Sequence, residues 1–206
     1  EFPPIITAGD VVVATNRGKA FSIRADTGEV RWRRTLGGVV ASSPAVYRLP
    51  GGARGVLFTT MAGDVVALAP DTGRVMWRLR LRSPIESSPL VVDGVAYVGT
   101  KDARVLAVDL RRRTATWTVR VPGAVKGSLA LAGGNVIVSD YAGVVTALRA
   151  GDGARRWQTT SPGGPLRGAG RFYAGPAVAY GRVYIGNVNG RVLARSAISF
   201  ALEFDS

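Results

Sequence analysis

Four tryptophans recur at a nearly constant spacing, and this spacing restricts the possible folds more than any other feature of the chain. Trp32, Trp77, Trp117 and Trp157 are separated by 45, 40 and 40 residues. A short β-rich segment begins 22 positions before each tryptophan, and a fifth copy of this segment begins at Arg182. A period of about 40 residues is typical of stacked units that bury their apolar faces against neighbouring copies. The sequence therefore predicts five consecutive copies of one structural unit.

The apolar pattern inside each unit is that of short strands rather than helices. Runs of Val, Ile, Leu and Ala, such as residues 65–68 and 105–108, alternate with glycine-containing turns. Such runs, bounded by turn residues, predict antiparallel strands. We expect four strands in each unit, named A to D in chain order, with the tryptophan on strand D and about 20 strands in total. The predicted units of this single all-β domain, residues 1–206, are residues 3–37, 43–82, 88–122, 128–161 and 175–206.

Two residue types are absent, and their absence excludes several kinds of chemistry. The chain has no cysteine and no histidine. Disulfides, thiolate nucleophiles, Ser-His triads and zinc sites built on imidazole or thiolate are therefore excluded. The longest apolar runs are far shorter than the roughly 20 residues of a membrane-spanning helix. We expect no membrane span, and the chain begins at Glu1 without the apolar core of a signal peptide.

The chain is strongly basic, with 27 Lys and Arg residues against 14 Asp and Glu residues, a net charge of +13. Nucleic acid or another polyanion is one class of partner that this charge favours. However, many arginines alternate with apolar residues on strand D, as Arg78, Arg80 and Arg82 do after Trp77. On an edge strand this alternation places the charges in solvent, where they discourage aggregation. Nucleic-acid binding is therefore the weaker expectation.

The turns before the tryptophans resemble those of a known family. Residues 22–32 and 67–77 both contain Asp-Thr-Gly, with three residues between its glycine and the Trp. This pattern is similar to the PQQ-like β-propeller repeat, which includes BamB-type and quinoprotein-type proteins. The resemblance implies a β-propeller of four-stranded antiparallel blades, in which each tryptophan docks between neighbouring blades against a Thr-Gly turn. The implied docking residues are Trp32, Trp77, Trp117 and Trp157.

The resemblance is uneven along the chain. Arg112 and Arg113 replace Thr-Gly in the third unit, and Asp152 and Gly153 replace it in the fourth. The fifth unit lacks the motif, and its tail, residues 197–206, is divergent. Family members usually close with seven or eight blades. We therefore expect an open or incomplete propeller.

The family contains at least two functional classes. Quinoprotein dehydrogenases hold pyrroloquinoline quinone and calcium, and use an aspartate base, a stacking tryptophan and commonly a vicinal disulfide. This chain has no Cys-Cys pair, and its four tryptophans all occupy docking positions. BamB-type proteins instead are extracytoplasmic, non-catalytic scaffolds for protein partners. The sequence fits this second class better, so we expect no catalytic residue and no cofactor, with a quinoprotein fragment as the alternative.

Strand order predicts which loops meet a partner. The B-to-C turns and the D-to-A connections emerge at the same end of a blade, which we call the top face. Equivalent positions on the D-to-A connections hold Ala41, Glu86, Lys126 and Tyr173, and this variation is typical of a recognition surface for a protein or a small ligand. The last connection, from Trp157 to Pro176, is seven residues longer than the others. The candidate binding residues are Glu86, Lys126, Arg171, Tyr173, Lys101, Asp102, Asp140 and Asn187.

Overall fold

A computed structural model of the chain describes residues 3–161 and 170–196. These residues contain 19 strands, and no helix occurs among them. Blade 1 comprises β1 (Ile5–Thr7), β2 (Asp10–Ala14), β3 (Lys19–Arg24) and β4 (Val30–Thr35). Blade 2 comprises β5 (Ala45–Arg48), β6 (Arg54–Thr59), β7 (Asp64–Leu68) and β8 (Val75–Arg80). Blade 3 comprises β9 (Leu90–Val92), β10 (Val95–Gly99), β11 (Arg104–Asp109) and β12 (Thr114–Arg120).

The last two blades follow the same order. Blade 4 comprises β13 (Ala130–Ala132), β14 (Asn135–Ser139), β15 (Val144–Arg149) and β16 (Arg155–Thr160). Blade 5 comprises β17 (Ala177–Ala179), β18 (Arg182–Gly186) and β19 (Val192–Ser196). The predicted fourth strand of this blade and the divergent tail 197–206 lie outside the described residues. Each sheet is antiparallel with its strands in chain order, which confirms the predicted four-stranded blade for blades 1 to 4.

A small residue on strand C explains where each tryptophan lies. Ser22 is paired with Trp32, and alanines face Trp77, Trp117 and Trp157 in the same register. In all four sheets the register shifts immediately after this small residue, as a β-bulge does. The absence of a large side chain opposite the indole leaves room for it on the blade surface.

The cores lie between consecutive blades. One apolar cluster joins blades 1 and 2, with Val12, Phe58 and Leu68 completely buried. Three further clusters join blades 2 and 3, 3 and 4, and 4 and 5. Among the described residues, no such cluster joins blade 5 to blade 1. The described blades therefore form an open arc, as the sequence predicts.

Two of the four tryptophans bond to the turn of the next blade, as the family pattern implies, and Trp117 corrects the expectation that all four are buried. Trp32 donates its Nε1–H to the carbonyl of Pro70 in the next blade at 2.7 Å, and Trp117 does the same to Ala150 at 3.0 Å. Trp32, Trp77 and Trp157 are buried, but Trp117 is only half-buried.

Candidate functional site

One residue in each B-to-C turn holds the turn together. Its side-chain oxygen accepts a hydrogen bond from the backbone N–H four residues later, at 3.0–3.4 Å. This arrangement is the local side chain to backbone bonding that Thr, Asp and Asn favour. The five equivalent residues, in blade order, are Thr15, Thr60, Thr100, Asp140 and Asn187.

Asp140 and Asn187, two of the predicted binding residues, therefore serve the turns themselves. Asp140 is 1% exposed and also accepts the N–H groups of Gly123 and Ala142. Burial raises the pKa of this carboxyl above its ordinary value, although the three backbone N–H groups oppose the shift. Asn187 is buried and donates to the Ser161 hydroxyl at 2.7 Å. The repeat spacing could have revealed this role, because an oxygen-bearing side chain recurs at this position in every unit.

The residue after each of these turn residues joins the top-face loops to one another. In blades 2 to 5 its backbone N–H donates to a carbonyl of the preceding D-to-A connection at 2.8–3.0 Å. Each D-to-A connection is thereby fixed beside the B-to-C turn of the blade that follows it. The donor and acceptor pairs are Met61 and Val39, Lys101 and Pro84, Tyr141 and Ala124, and Val188 and Arg171.

In blade 3 the predicted residues neutralise one another. The Lys101 ammonium lies 3.6 Å from the Glu86 carboxylate, and the Asp102 carboxylate accepts from Arg104 at 2.7 Å. Burial of Asp102 opposes ionisation, but hydrogen bonds with Ser83, Thr100 and Arg104 outweigh it and lower its pKa. Glu86, Lys101, Asp102 and Arg104 thus form a surface with balanced charge.

At the junction of blades 4 and 5 the same loop geometry produces a different surface. The Lys126 ammonium lies 4.3 Å from the ring centre of Tyr141 and 4.7 Å from that of Tyr173. The Arg171 guanidinium lies 4.7 Å from the Tyr141 ring and donates to its hydroxyl at 3.2 Å. The two rings meet edge to face, with their hydroxyl oxygens 3.0 Å apart. We call Lys126, Tyr141, Arg171 and Tyr173 the cationic aromatic cluster.

A buried anchor holds this cluster in place. Phe172 lies between Arg171 and Tyr173 in sequence, is completely buried, and donates its backbone N–H to the Asp140 carbonyl at 3.2 Å. Tyr173 is 53% exposed, so the cluster faces solvent from a fixed support. No carboxylate among the described residues forms an ion pair with Lys126 or Arg171. The cluster therefore presents two cations and two phenols to an incoming group.

The structure brings Lys126, Arg171 and Tyr173 together in one cluster and pairs Glu86 with Lys101 separately. The sequence places Tyr141 on the same face, but without structure nothing distinguishes it from the other turn residues. The remainder of the predicted insertion, residues 162–169, lies outside the described residues. The role of all eight candidates in binding stays a prediction.

The cluster should alter the titration of Tyr141. Its hydrogen bond with Tyr173, then that with Arg171 and the charges of Arg171 and Lys126, lower its pKa below the ordinary value of about 10. Burial instead raises the pKa of Tyr97. In an alkaline titration followed by phenolate absorbance, we expect one tyrosine to ionise before the others. This early step should move to higher pH in Arg171→Gln and stay in place in Arg182→Gln; an unchanged curve in Arg171→Gln would contradict the geometry.

Residues 3–161 and 170–196 contain no group of three metal-ligating side chains. In the same residues no helix has the length and apolar character needed to cross a membrane.

Comparison with known proteins gives consistent matches. The family model described as outer membrane protein assembly factor BamB matches residues 2–49 and 47–200. A curated relative, the outer membrane protein assembly factor BamB of Yersinia pestis, is 33% identical over 100 residues, covering 48% of this chain and 24% of the relative.

Solved structures show the same architecture. The crystal structure of BamB from Moraxella catarrhalis superimposes with a TM-score of 0.79 at 18% identity, covering 95% of this chain and 61% of that one. The computationally designed protein Ika8 gives a TM-score of 0.74 at 14% identity, with 93% and 56% covered. The chain thus spans about a quarter of the curated relative and less than two thirds of either structure.

Proposed function

The chain belongs to the BamB family of PQQ-like β-propellers, and from this premise we propose that it is a non-catalytic scaffold that binds a protein partner. The partner contacts the top face, and the relatives' description as outer membrane protein assembly factors supports an extracytoplasmic location and a role in assembling envelope proteins. No cofactor is needed for this function.

The cationic aromatic cluster is the observation that carries the proposal. Aromatic side chains and arginine are enriched at the energetic centres of protein interfaces. The Lys126 and Arg171 cations lie over tyrosine rings, and the attraction between cation and ring holds these two side chains in place. Their remaining N–H groups can donate hydrogen bonds to acceptors on a partner. An acidic segment of a partner protein suits this combination of charge and hydroxyl groups.

The quinoprotein alternative is less favoured by the positions of the tryptophans. Trp32 and Trp117 bond to the next blade, and Trp77 and Trp157 belong to the apolar clusters between blades. All four indoles thus serve blade packing, and none is free to stack on a quinone. We expect no dye-linked alcohol or sugar dehydrogenase activity when the protein is supplied with pyrroloquinoline quinone and calcium. Activity under these conditions would favour the quinoprotein alternative.

The nucleic-acid alternative is weakened by the partners of the strand D arginines. Arg78 and Arg80 both bind Asp64, and Arg31 binds Asp10. These three guanidiniums are exposed to solvent, as the alternation along strand D predicts, but each is also paired with a carboxylate of its own blade, which reduces the charge available to phosphates. Binding to nucleic acid would show an affinity that falls steeply with salt concentration.

The scaffold proposal can be tested by crosslinking at two tyrosines on opposite ends of the blades. A photoreactive amino acid replaces either Tyr173 on the top face or Tyr180, which is 98% exposed in the A-to-B turn of blade 5. After irradiation of intact cells of the source organism, we expect a discrete crosslinked protein from position 173 and none from position 180. The product should decrease when Lys126→Ala and Arg171→Ala are added. Equal products from both positions, or no product from position 173, would contradict the top-face interface.

A further inference from the structure

The C-to-D turn of each blade, which we call the docking turn, can be compared between blades by the residue that it places against the tryptophan of the preceding blade. In blade 2 the turn that receives Trp32 contains Gly73, and a Cβ atom added there would lie 2.6 Å from the indole ring. In blade 4 a Cβ atom on Gly153 would lie 2.8 Å from the Trp117 ring. Both turns therefore close directly over the indole because their contact residue has no side chain.

The turn of blade 3 carries a side chain at the position where the other two turns have only glycine. Arg113 occupies the glycine position, with a φ of 62° that is close to the 65° of Gly73. Its Cβ would require the space that the indole fills at the other two junctions. Trp77 also donates its Nε1–H to the Tyr47 hydroxyl of its own blade at 3.3 Å, whereas Trp32 donates to a backbone carbonyl of the next blade.

A groove of about 340 Å³ opens at this junction, on the end of the blades opposite the cationic aromatic cluster. One wall is the extended A-to-B hairpin of blade 2, which contributes Leu49, Pro50 and Ala53. Met76 and the buried Trp77 form the apolar floor. The other wall is the docking turn of blade 3, with Arg111 and Arg113 at the rim. This volume accepts one large apolar side chain and its neighbours.

The charge at the rim is uncompensated. Among the described residues, no carboxylate forms an ion pair with Arg111 or Arg113. Arg112, between them in sequence, is instead paired with Asp109 at 3.1 Å and does not line the groove. The groove therefore combines an apolar floor with two guanidiniums, the groups best suited to binding a carboxylate.

We propose that this groove is a second binding site, for an acidic peptide segment of a partner protein that inserts an apolar side chain beside a carboxylate. The apolar side chain packs against Leu49, Pro50 and Met76, and the carboxylate accepts hydrogen bonds from Arg111 and Arg113. Charge complementarity favours this occupant, because the rim carries only positive side chains. The groove lies on the opposite end of the blades from the top face. A negative crosslinking result at position 173 would therefore not decide whether the groove binds a peptide, and a negative result at the groove would not decide the top-face proposal.

The test uses an array of random hexapeptides probed with the whole protein. We expect the bound peptides to be enriched in Asp or Glu next to Leu, Met, Phe or Trp. For the strongest peptide, fluorescence anisotropy should show an affinity loss of roughly tenfold in Arg111→Gln, as expected when charge-assisted hydrogen bonds to a carboxylate are lost. Arg113→Gly should cause at least the same loss, because it removes the charge and lets the turn close over Trp77.

Arg112→Gln is the matched control, since it removes one positive charge from the same turn outside the groove. It should change the affinity by less than about twofold, as a screened surface charge does. The melting temperature of Arg113→Gly should not fall, because glycine adopts the positive φ without strain. Absence of enrichment, equal losses in Arg112→Gln and Arg111→Gln, or displacement of the peptide by inorganic phosphate or anionic lipid vesicles would overturn the proposal.

Discussion

Replacing Trp32 by alanine should lower the free energy of unfolding by about 3–5 kcal/mol, the usual cost of removing a buried aromatic side chain. The indole is 7% exposed and belongs to the apolar cluster that joins blades 1 and 2. Its loss leaves a cavity against the docking turn and removes the hydrogen bond to the Pro70 carbonyl. Equilibrium denaturation in urea measures the change. Trp117→Ala should cost less, because Trp117 is only half-buried.

Alanine substitutions at two glycines distinguish the energetic cost of disturbing the docking contact from the cost of backbone strain. Gly28 and Gly73 occupy the same turn position with φ values of 73° and 65°, but only Gly73 meets an indole, that of Trp32. A Cβ atom on Gly28 would have nothing within 4 Å. Both alanine variants carry the left-handed penalty of about 1–2 kcal/mol, and Gly73→Ala should add about 1–3 kcal/mol of overpacking. Equal destabilisation of the two variants would contradict docking of Trp32 on this turn.

The sequence predicts the fold well because each blade repeats the same local signals. The tryptophan period, the glycine turns and the small residue opposite each tryptophan all recur, and together they determine the blade and its order of strands. The half-burial of Trp117 is not predictable in the same way, since it depends on side chains contributed by the next blade. Propeller packing is a contact between units, and a repeat motif describes only one unit.

The candidate site is predictable only in part. Alternation of strand direction correctly places Lys126, Arg171 and Tyr173 at one end of the blades, but it does not indicate which loop pairs approach one another. That pairing comes from backbone hydrogen bonds such as the one from Tyr141 to Ala124, which no side-chain pattern encodes. Asp140 shows a second reason why the prediction is partial. A charged residue in a top-face turn can either bond to the turn or bind a partner, and the sequence alone does not distinguish these two roles.

A buried carboxylate in blade 2 was not indicated by the repeat pattern. Asp64 is 1% exposed and accepts from Arg78 at 2.6 Å and from Arg80 at 3.0 Å. Arg78 also donates to the Leu36 carbonyl of blade 1 at 2.9 Å, so the group links two blades. The equivalent positions in the other blades are Lys19, Arg104, Val144 and Arg191, which makes Asp64 particular to this junction.

Replacing Asp64 by asparagine should lower the free energy of unfolding by about 2–3 kcal/mol near neutral pH, the value of hydrogen bonds to charged groups. The loss should be smaller than for a completely buried ion pair, because the side chains of Arg78 and Arg80 are 34% and 65% exposed and can turn to water. Asp71→Asn is the control, since Asp71 forms an ion pair with Arg54 but is 55% exposed. This control should show a much smaller change.

The effect of Asp64→Asn should depend on pH in one direction. Burial favours the neutral carboxyl, but the hydrogen bonds and charges of Arg80 and Arg78 outweigh it and hold the pKa of Asp64 below its ordinary value. A carboxyl whose pKa is lower in the folded state stabilises the protein above its unfolded pKa of about 4, and this stabilisation disappears as the pH falls through the folded pKa. The stability difference between wild type and Asp64→Asn should therefore be constant above about pH 5 and shrink below about pH 4. Urea denaturation at both pH values measures it, and a difference that stays constant or grows in acid would show that the arginines do not stabilise an ionised Asp64.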